Sequence, residues 1–414
     1  MRDLQITSKG IAARGRVHDR TSGRHSNFFL ENSQMKKTLA AVAVLGAFAG
    51  TAMAADVTLY GVVDEGLVYT HTKTDGVKTD KLGLDSGKLA GARFGLKGTE
   101  DLGNGYKVGF VLENGFSADD GSFSKYGESQ SQNRMFGREA SLFIDSDFGR
   151  LALGRVGQLT SGNTAYGIAG AMHPFGTASW GLSSMYTVMV GGDRIDNSLT
   201  YVTPAFAGVK VYAQASLKND NNVTKSDRGL ATTATADEGK HTADRYYALG
   251  ATYKNYGLDL ALVVDMYDYG HAEQEALDDG YTVTLGGSYD FEVVKAYLGA
   301  QYFKDVQYVK KSYGLAQSFD KIGKQAKGYG ITTGVDVPAF GGTFKVGALY
   351  GEAENVDNSD LKLKNYGANV GYVYPFSKRT SLYTAAGYLK TKVENTTDSK
   401  TDAYQVTLGL SHKF

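Results

Sequence analysis

Apolar and polar residues alternate one by one through long stretches of this chain. In the final segment, DAYQVTLGLSHKF, almost every second residue from Tyr404 is apolar, and the chain ends on the aromatic Phe414. Successive side chains of a β-strand point to opposite faces, so the pattern predicts a strand with one apolar face. A terminal strand without a partner would fray. We therefore expect this strand to be paired and its apolar face to meet a core or lipid.

The same alternation recurs in segments of about ten residues, for example at 258–265, 281–289 and 365–374. The polar series of these segments contains Asp, Asn, Thr and Ser, which suits a water-filled lumen better than the interior of a soluble barrel. The presence of only 4 Pro among 414 residues permits long paired strands, and 28 Tyr and 19 Phe are typical of aromatic girdles. The absence of Cys excludes disulfides and thiolate metal sites.

Short segments with turn signals alternate with longer polar stretches along the chain. Seven short turns are predicted in EDLGNGYK, DSDFGRL, TPAFAGVK, KNYGLD, YDFEVV, VPAFGGTF and YPFSKRT. Eight longer polar stretches lie between them, at roughly 70–90, 116–134, 156–192, 217–244, 266–280, 304–329, 352–364 and 391–402. These connections predict an all-β, 16-stranded antiparallel transmembrane barrel with both termini on the short-turn side and an aqueous channel. The last strand should pair with the first, DVTLYGVVDEG, which removes both sheet edges.

The start of the chain has a different character. Residues 35–54, MKKTLAAVAVLGAFAGTAMA, combine two Lys, an apolar run and small residues before Ala55, which predicts a cleaved secretory signal peptide. The alternative, a transmembrane anchor, requires a longer apolar run. Residues 1–34 are polar and patternless and precede a second Met, so we interpret them as a mis-assigned or unstructured extension. The barrel domain is then 55–414.

Charge and motif content exclude several functions. The formal net charge is zero, and residues 1–54 hold eight Lys or Arg and three acids, so the barrel itself is mildly acidic. Such a chain, without a basic stripe, is not a nucleic-acid binder. No motif indicates an enzyme, a cofactor or a metal site. The His residues lack the arrangement of a barrel phospholipase, and the polar loop runs lack metal-ligand spacing.

Several segments together resemble the trimeric general porins of Gram-negative outer membranes. They are DVTLYGVVDEG, ARFGLKGTEDLGNG, FGREASLFIDSDFGRLALGR, DNSLTYVTPAFAG, SKRTSLYTAAGYLK and LGLSHKF. The resemblance covers essentially all of 55–414 and is closest to proteobacterial porins that end in His, Lys or Arg, and Phe. It implies a homotrimer in a bilayer with lipopolysaccharide that lets small hydrophilic solutes and ions diffuse passively. It also implies that the barrel-assembly machinery reads Phe414 and that the third loop folds into the pore.

The third polar stretch, Val156–Gly192, is the longest and contains no Asp, Glu, Lys or Arg. An outward loop would normally be charged, so we interpret this stretch as the loop that narrows the pore. The alternative is a lid on the surface. Within this constriction loop we single out His173, Pro174 and Phe175, because His173 is its only histidine and is followed directly by proline.

The resemblance places a ladder of cations, Arg93, Arg138 and Arg194, on the wall that faces this loop. Strand alternation also directs Lys97 into the lumen if Arg93 is lumenal, and it directs Glu113 there from the following strand. The loops of general porins supply acids opposite the arginines, and this loop has none. Uncompensated guanidinium groups in a narrow channel favour anions.

Two wall residues are less certain members of this set. Arg155 lies close to the start of the loop and is included in the predicted constriction. Arg138 conflicts with alternation, because a lumenal Arg138 sends the alternate residues of its strand outward. These residues are Glu139, Ser141 and Phe143.

The same barrel could serve other functions. A surface adhesin would bind a partner through the long loops, and single-channel conductance would separate it from a channel. A sugar-specific porin would need aromatic residues along the lumen, whereas the aromatic residues here fall mostly on the outward series. The uncharged third loop beside the arginines favours a diffusion channel with a preference for anions.

Overall fold

The computed structural model shows a closed β-barrel, Asp56–Phe414. It describes residues 56–123, 134–162, 164–178, 180–192, 194–219, 238–239, 242–270, 277–307, 318–319, 321–323, 325–395 and 398–414. The strand segments are β1 (Thr58–Thr74), β2 (Val77–Ser86), β3 (Arg93–Gly103), β4 (Tyr106–Gly115), β5 (Glu139–Ser146), β6 (Gly149–Gly157), β7 (Arg194–Val202), β8 (Val209–Ser216), β9 (Arg245–Asn255), β10 (Leu258–Asp268), β11 (Gly280–Asp290), β12 (Lys295–Gln307), β13 (Gln325–Ala339), β14 (Gly342–Asn355), β15 (Lys362–Pro375), β16 (Thr380–Glu394) and β17 (Ser399–Lys413). The predicted extension 1–34 and signal peptide 35–54 lie outside the described residues.

The seventeen segments form sixteen barrel strands, which confirms the predicted number, because β2 and β3 are two parts of one strand. Both pair with β1: β2 along its loop-side half and β3 along its other end. Residues 87–92 interrupt the strand between these two parts. The second edge of β3 pairs with β4, and every later strand pairs antiparallel with the next.

The barrel closes through its first and last strands. β17 lies antiparallel to β1 in a continuous register that runs from Lys413 opposite Val62 to Thr401 opposite Thr74. Beyond this register, Gly61 and Phe414 exchange both backbone hydrogen bonds, with N···O distances of 3.1 Å. The last strand is therefore paired up to the final residue, as its alternation predicts, and closure leaves the barrel without a free first or last edge.

Alternation separates the two faces of the barrel as predicted. On β17, Leu408 is 51% exposed on the outer face, whereas Thr407 is completely buried on the lumenal face. On β11, Val283 is exposed, and Thr282 and Thr284 are buried. An apolar outer surface and a polar lumenal surface are what a membrane barrel requires. No helix among the described residues is long and apolar enough to span a membrane.

All seven predicted short turns are short, between two and six residues, and both barrel termini lie at the same end as these turns. The other end is less regular than predicted. The polar stretch at 70–90 is mostly strand, with a two-residue turn between β1 and β2, and the stretches at 352–364 and 391–402 are also largely strand. These strands continue beyond the membrane, where both faces meet water, so their sequences are polar on both faces and resemble loops.

Candidate pore constriction

The described residues between β6 and β7, 158–162, 164–178 and 180–192, fold into the barrel and lie against its lumenal wall. We call this segment the inner loop; it includes two short 3₁₀ helices, Ala169–Met172 and Met185–Thr187. Its apolar side chains Met172, Trp180 and Met189 are almost completely buried against the wall. The sequence prediction that the third loop enters the pore is therefore confirmed.

Five amide side chains on the lumenal wall hold the backbone of the inner loop or of the residue just before it. They are Gln214 on β8, Gln301 on β12, Asn365 and Asn369 on β15, and Gln405 on β17. Gln301 donates to the Val190 carbonyl over 2.9 Å and accepts from the Val190 N–H over 2.6 Å. These amides are neutral, so neither pH nor salt screening acts on their charge. A buried carboxylate adds one longer bond, since Asp265 accepts from the Thr160 hydroxyl over 3.3 Å.

Lumenal glycines let the inner loop lie directly on the wall. A Cβ added to Gly299 would lie 2.9 Å from Cβ of Met172, and one added to Gly371 would lie 2.7 Å from the indole ring of Trp180. A Cβ on Gly334 would meet the ring of Pro174 at 2.5 Å. These distances are too short for any larger residue, so the glycines form a groove that receives the loop. Sequence reasoning missed this groove, although these glycines lie on the lumenal series of their strands.

The three residues singled out in the constriction loop face this groove. His173 is 1% exposed, and its Nδ1 accepts from the Phe175 N–H over 3.3 Å. The ring of Phe175 packs on Trp180, with 4.7 Å between ring centroids. None of His173, Pro174 and Phe175 lines the open cavity. These residues therefore belong to the loop that enters the barrel but turn to the wall, because apolar and aromatic side chains of an uncharged loop gain most by burial there.

A cavity of about 700 Å³ remains between the inner loop and the wall of strands β3 to β7. The wall contributes four arginines and two glutamates among the described lining residues: Arg93, Arg138, Arg150, Arg194, Glu113 and Glu139. The loop contributes only uncharged residues among those described, including Thr164, Tyr166, Thr177, Ser184 and Tyr186. The cavity is thus charged on one side and neutral on the other, with more cations than anions.

Glu113 organises two of the predicted arginines. Its Oε1 accepts from Nε of Arg138 over 2.6 Å, and its Oε2 lies 3.4 Å from Nε of Arg93. The Tyr60 hydroxyl donates to the same Oε2 over 3.0 Å. Because one carboxylate is shared by two guanidinium groups, it fixes both of them and neutralises only one unit of charge.

The other two cavity arginines are held differently. Nε of Arg194 donates to the carbonyl of Arg138 over 2.8 Å, so this cation is fixed by a neutral acceptor. Arg150, which sequence reasoning missed, makes two hydrogen bonds of 2.6 and 2.8 Å to Asp145, and its guanidinium lies 4.0 Å from the ring centroid of Phe143. Arg150 therefore reaches the cavity as the cationic half of an ion pair, and Asp145, which does not line the cavity, balances much of its charge.

Arg155 and Lys97 do not line the cavity. Arg155 is buried behind it, where NH1 lies 2.7 Å from Asp196, which also accepts two hydrogen bonds from Arg134. Lys97 is exposed towards the short-turn end, with Nζ 5.3 Å from the ring centroid of Tyr60. Alternation gives only the face of a strand, and the height along the barrel decides which lumenal residues reach a given cavity. The place of Arg155 and Lys97 in the constriction therefore stays a prediction.

Strand β5 has the opposite orientation to the one that a lumenal Arg138 implies. Glu139, Ser141 and Phe143 are buried on the lumenal face, whereas Leu142 is exposed outside. Arg138 still reaches the cavity, because it precedes the strand and alternation does not constrain it. Because the orientation of β5 was predicted the wrong way round, Glu139 was not predicted as a lumenal residue. Its Oε1 accepts a hydrogen bond from the Ser141 hydroxyl over 2.8 Å.

The interruption at 87–92 also shapes the cavity. Leu89, Ala90 and Gly91 line it, and the Gly91 carbonyl accepts from NH1 of Arg93 over 2.9 Å. The buried carboxylate of Asp64 holds this segment, accepting from the backbone N–H groups of Leu89 and Ala90 at 3.3 Å each. The broken strand therefore places the Gly91 carbonyl next to Arg93, a feature that the sequence pattern does not predict.

Comparison with known proteins identifies this arrangement. The chain matches the Gram-negative porin family over residues 40–396. An outer membrane porin of Bordetella pertussis is 33% identical over 92% of this chain and 100% of its own length. Outer membrane porin protein 32 of Delftia acidovorans is 31% identical over 87% of this chain and 92% of its own length. The chain belongs to the Gram-negative porin family.

The solved structures agree with this porin fold. The anion-selective porin from Comamonas acidovorans superposes with a TM-score of 0.61 at 24% identity, over 87% of this chain and 100% of that chain. As a porin of this family, the protein is an outer-membrane channel and not an enzyme. The predicted fold and channel function are therefore confirmed.

Proposed function

We propose that this porin is a diffusion channel for small hydrophilic solutes that prefers anions, with the arginine-lined cavity as its narrowest section. The observation that supports this most is the imbalance of charge in the described cavity lining, four arginines against two glutamates, opposite a neutral loop. In a narrow channel between low-dielectric walls, such a field attracts anions and repels cations.

The test is the zero-current potential of the purified porin in a planar bilayer under a KCl gradient. We expect a zero-current potential with the sign of an anion-selective channel. The potential should be smaller in about 1 M salt, where the Debye length is roughly 3 Å. Replacing Arg93, Arg138 and Arg194 together by Ala leaves Arg150 with the two glutamates and should shift the potential towards cation selectivity.

Two arginines outside the cavity serve as controls. Arg379→Ala, in an exposed short turn, should leave the potential unchanged, and Arg155→Ala should have a smaller effect than the triple variant. Cation selectivity of the wild-type porin would contradict the proposal and would show that acids elsewhere dominate the field.

We also propose that the porin functions as a homotrimer after export and cleavage before Ala55. One edge of β2 pairs with β1, and among the described residues no strand pairs with its other edge. Such an edge is a template for another chain, here a second copy. Cross-linking of the native membrane measures the number of copies, and N-terminal sequencing of the membrane-inserted porin measures the cleavage point.

A further inference from the structure

Two carboxylates of the cavity lie directly opposite each other on neighbouring strands. Glu113 on β4 is in register with Glu139 on β5, and both side chains line the cavity. Glu139 is 6% exposed. Like charges directly opposite each other destabilise a pair of strands, and the burial of a carboxylate adds a further cost. The stability of the barrel therefore gives no reason for a second carboxylate at this position.

The two glutamates have different partners. Glu113 is held by two guanidinium groups and one phenol hydroxyl, so its charge is part of a fixed cluster. The hydrogen bond that Glu139 accepts comes from a neutral group, the hydroxyl of Ser141 on the same strand. Arg150 and Arg194, the cavity arginines outside the Glu113 cluster, act on Glu139 through space. The charge of Glu139 is therefore directed at the half of the cavity that Glu113 does not organise.

We propose that Glu139 determines how strongly the pore discriminates between anions and cations, whereas Glu113 positions two arginines. The inference rests on the proposed anion preference of the pore. The described part of the inner loop that lines the cavity is uncharged, so the field of Arg150 and Arg194 is opposed from the wall, by Glu139. Without Glu139, four arginines would face one glutamate instead of two. Glu139 thus limits the attraction of anions and keeps the pore permeable to cations.

The experiment measures the zero-current potential and the single-channel conductance of the full porin in planar bilayers under a KCl gradient. Glu139→Gln removes the charge and retains a side-chain oxygen that can accept from Ser141. Glu139→Asp retains the charge and shortens the side chain. The control variant Asp101→Asn removes one negative charge from the same strand series as Arg93, at the short-turn end and outside the cavity lining.

We expect Glu139→Gln to raise the ratio of anion to cation permeability about threefold, because a unit charge a few Å from the permeating ion changes its energy in water by about this factor. Glu139→Asp and Asp101→Asn should stay close to the wild type. An unchanged ratio in the Gln variant overturns the proposal. The reverse order, with a change in the Asp variant alone, also overturns it and assigns Glu139 to its hydrogen bond with Ser141.

The sign of the wild-type potential tests the proposed function separately, since the shift caused by Glu139→Gln is measurable whichever ion the wild type prefers. Thermal unfolding of the same variants tests a structural role. We expect Glu139→Gln to unfold at the temperature of the wild type or above it, because the repulsion from Glu113 is removed. A marked loss of stability, or failure of the Gln variant alone to insert, would show that the barrel needs this carboxylate for folding and would overturn the proposal.

Discussion

At the scale of single residues, His173 behaves differently from a pore histidine. It is buried between the inner loop and the wall, and burial, together with the nearby Lys345, lowers its pKa from about 6.5 to about 4. The side chain is therefore neutral at physiological pH and contributes packing, not charge. The sequence could identify it as the only histidine of an uncharged loop, but not the face of the loop on which it lies, because an irregular loop has no periodicity from which to read orientation.

This burial makes docking of the inner loop sensitive to acid. The released loop binds a proton at His173 with a pKa near 6.5, whereas the docked loop binds it only near 4. Docking is therefore fully stable above about pH 6.5 and weakens as the pH falls towards 4, by up to roughly 3 kcal/mol. We expect more frequent closures of single channels in planar bilayers at pH 4 than at pH 7. His173→Phe should remove the part of this dependence that lies between pH 6.5 and 4. Identical profiles for both proteins would exclude His173 as the source of the pH dependence.

At the scale of elements, contacts with the barrel wall hold the inner loop in position more than contacts within the loop do. Its described residues contain two helical turns, of four and three residues. Its hydrogen bonds to the barrel come mainly from neutral amides, with one to the Asp265 carboxylate, and it packs against lumenal glycines. Because the loop has no charged residues, its entry into the barrel could be predicted from the sequence. Its path could not be predicted, because amides and glycines on a polar strand series are also typical of a wet lumen.

The groove can be tested by filling it. Gly371→Leu places a side chain where the indole of Trp180 lies, and overpacking of this kind costs about 1–3 kcal/mol. We expect the loop to be displaced towards the cavity and the single-channel conductance to fall. Gly83→Leu is a matched control, because a Cβ at Gly83 meets only Lys81, at 3.6 Å. An unchanged conductance of the Gly371 variant would show that the wall yields and the loop stays in place.

At the scale of the whole molecule, three features were predictable: the number of strands, the closure of the barrel, and which side chains face outward or into the lumen. Every membrane-spanning strand must be apolar on one side and paired on both edges, and this requirement is visible in the sequence. The interruption at 87–92 could not be predicted. It is held by Asp64, which in turn accepts a hydrogen bond from Tyr383, and both residues are distant from it in sequence. The loop-side strand extensions were missed because water on both faces removes the alternation.

Closure also gives Phe414 a structural role. It exchanges two backbone hydrogen bonds with Gly61, and its ring covers Gly61 so closely that a Cβ there would clash. Removing Phe414 deletes both bonds, each contributing about 1 kcal/mol, together with the terminal aromatic residue. We expect less folded porin in the outer membrane, measured on gels without heating, and a normal conductance of the channels that do insert. Phe414→Tyr should insert nearly as well as the wild type, and normal membrane levels without Phe414 would contradict its role in assembly.

The pairing of β1 with β17 has a consequence for the order in which the molecule is made. β17 follows every other strand of the described barrel, so a growing chain carries β1 with one edge unpaired until β17 has been made. Contacts between such distant segments form slowly, because their loop-closure entropy must be overcome before they stabilise anything. A chain that stops before β17 remains an open ribbon with two edges available to neighbouring chains. Pairing of β17 with β1 is therefore the step that removes both edges and with them this route to aggregation.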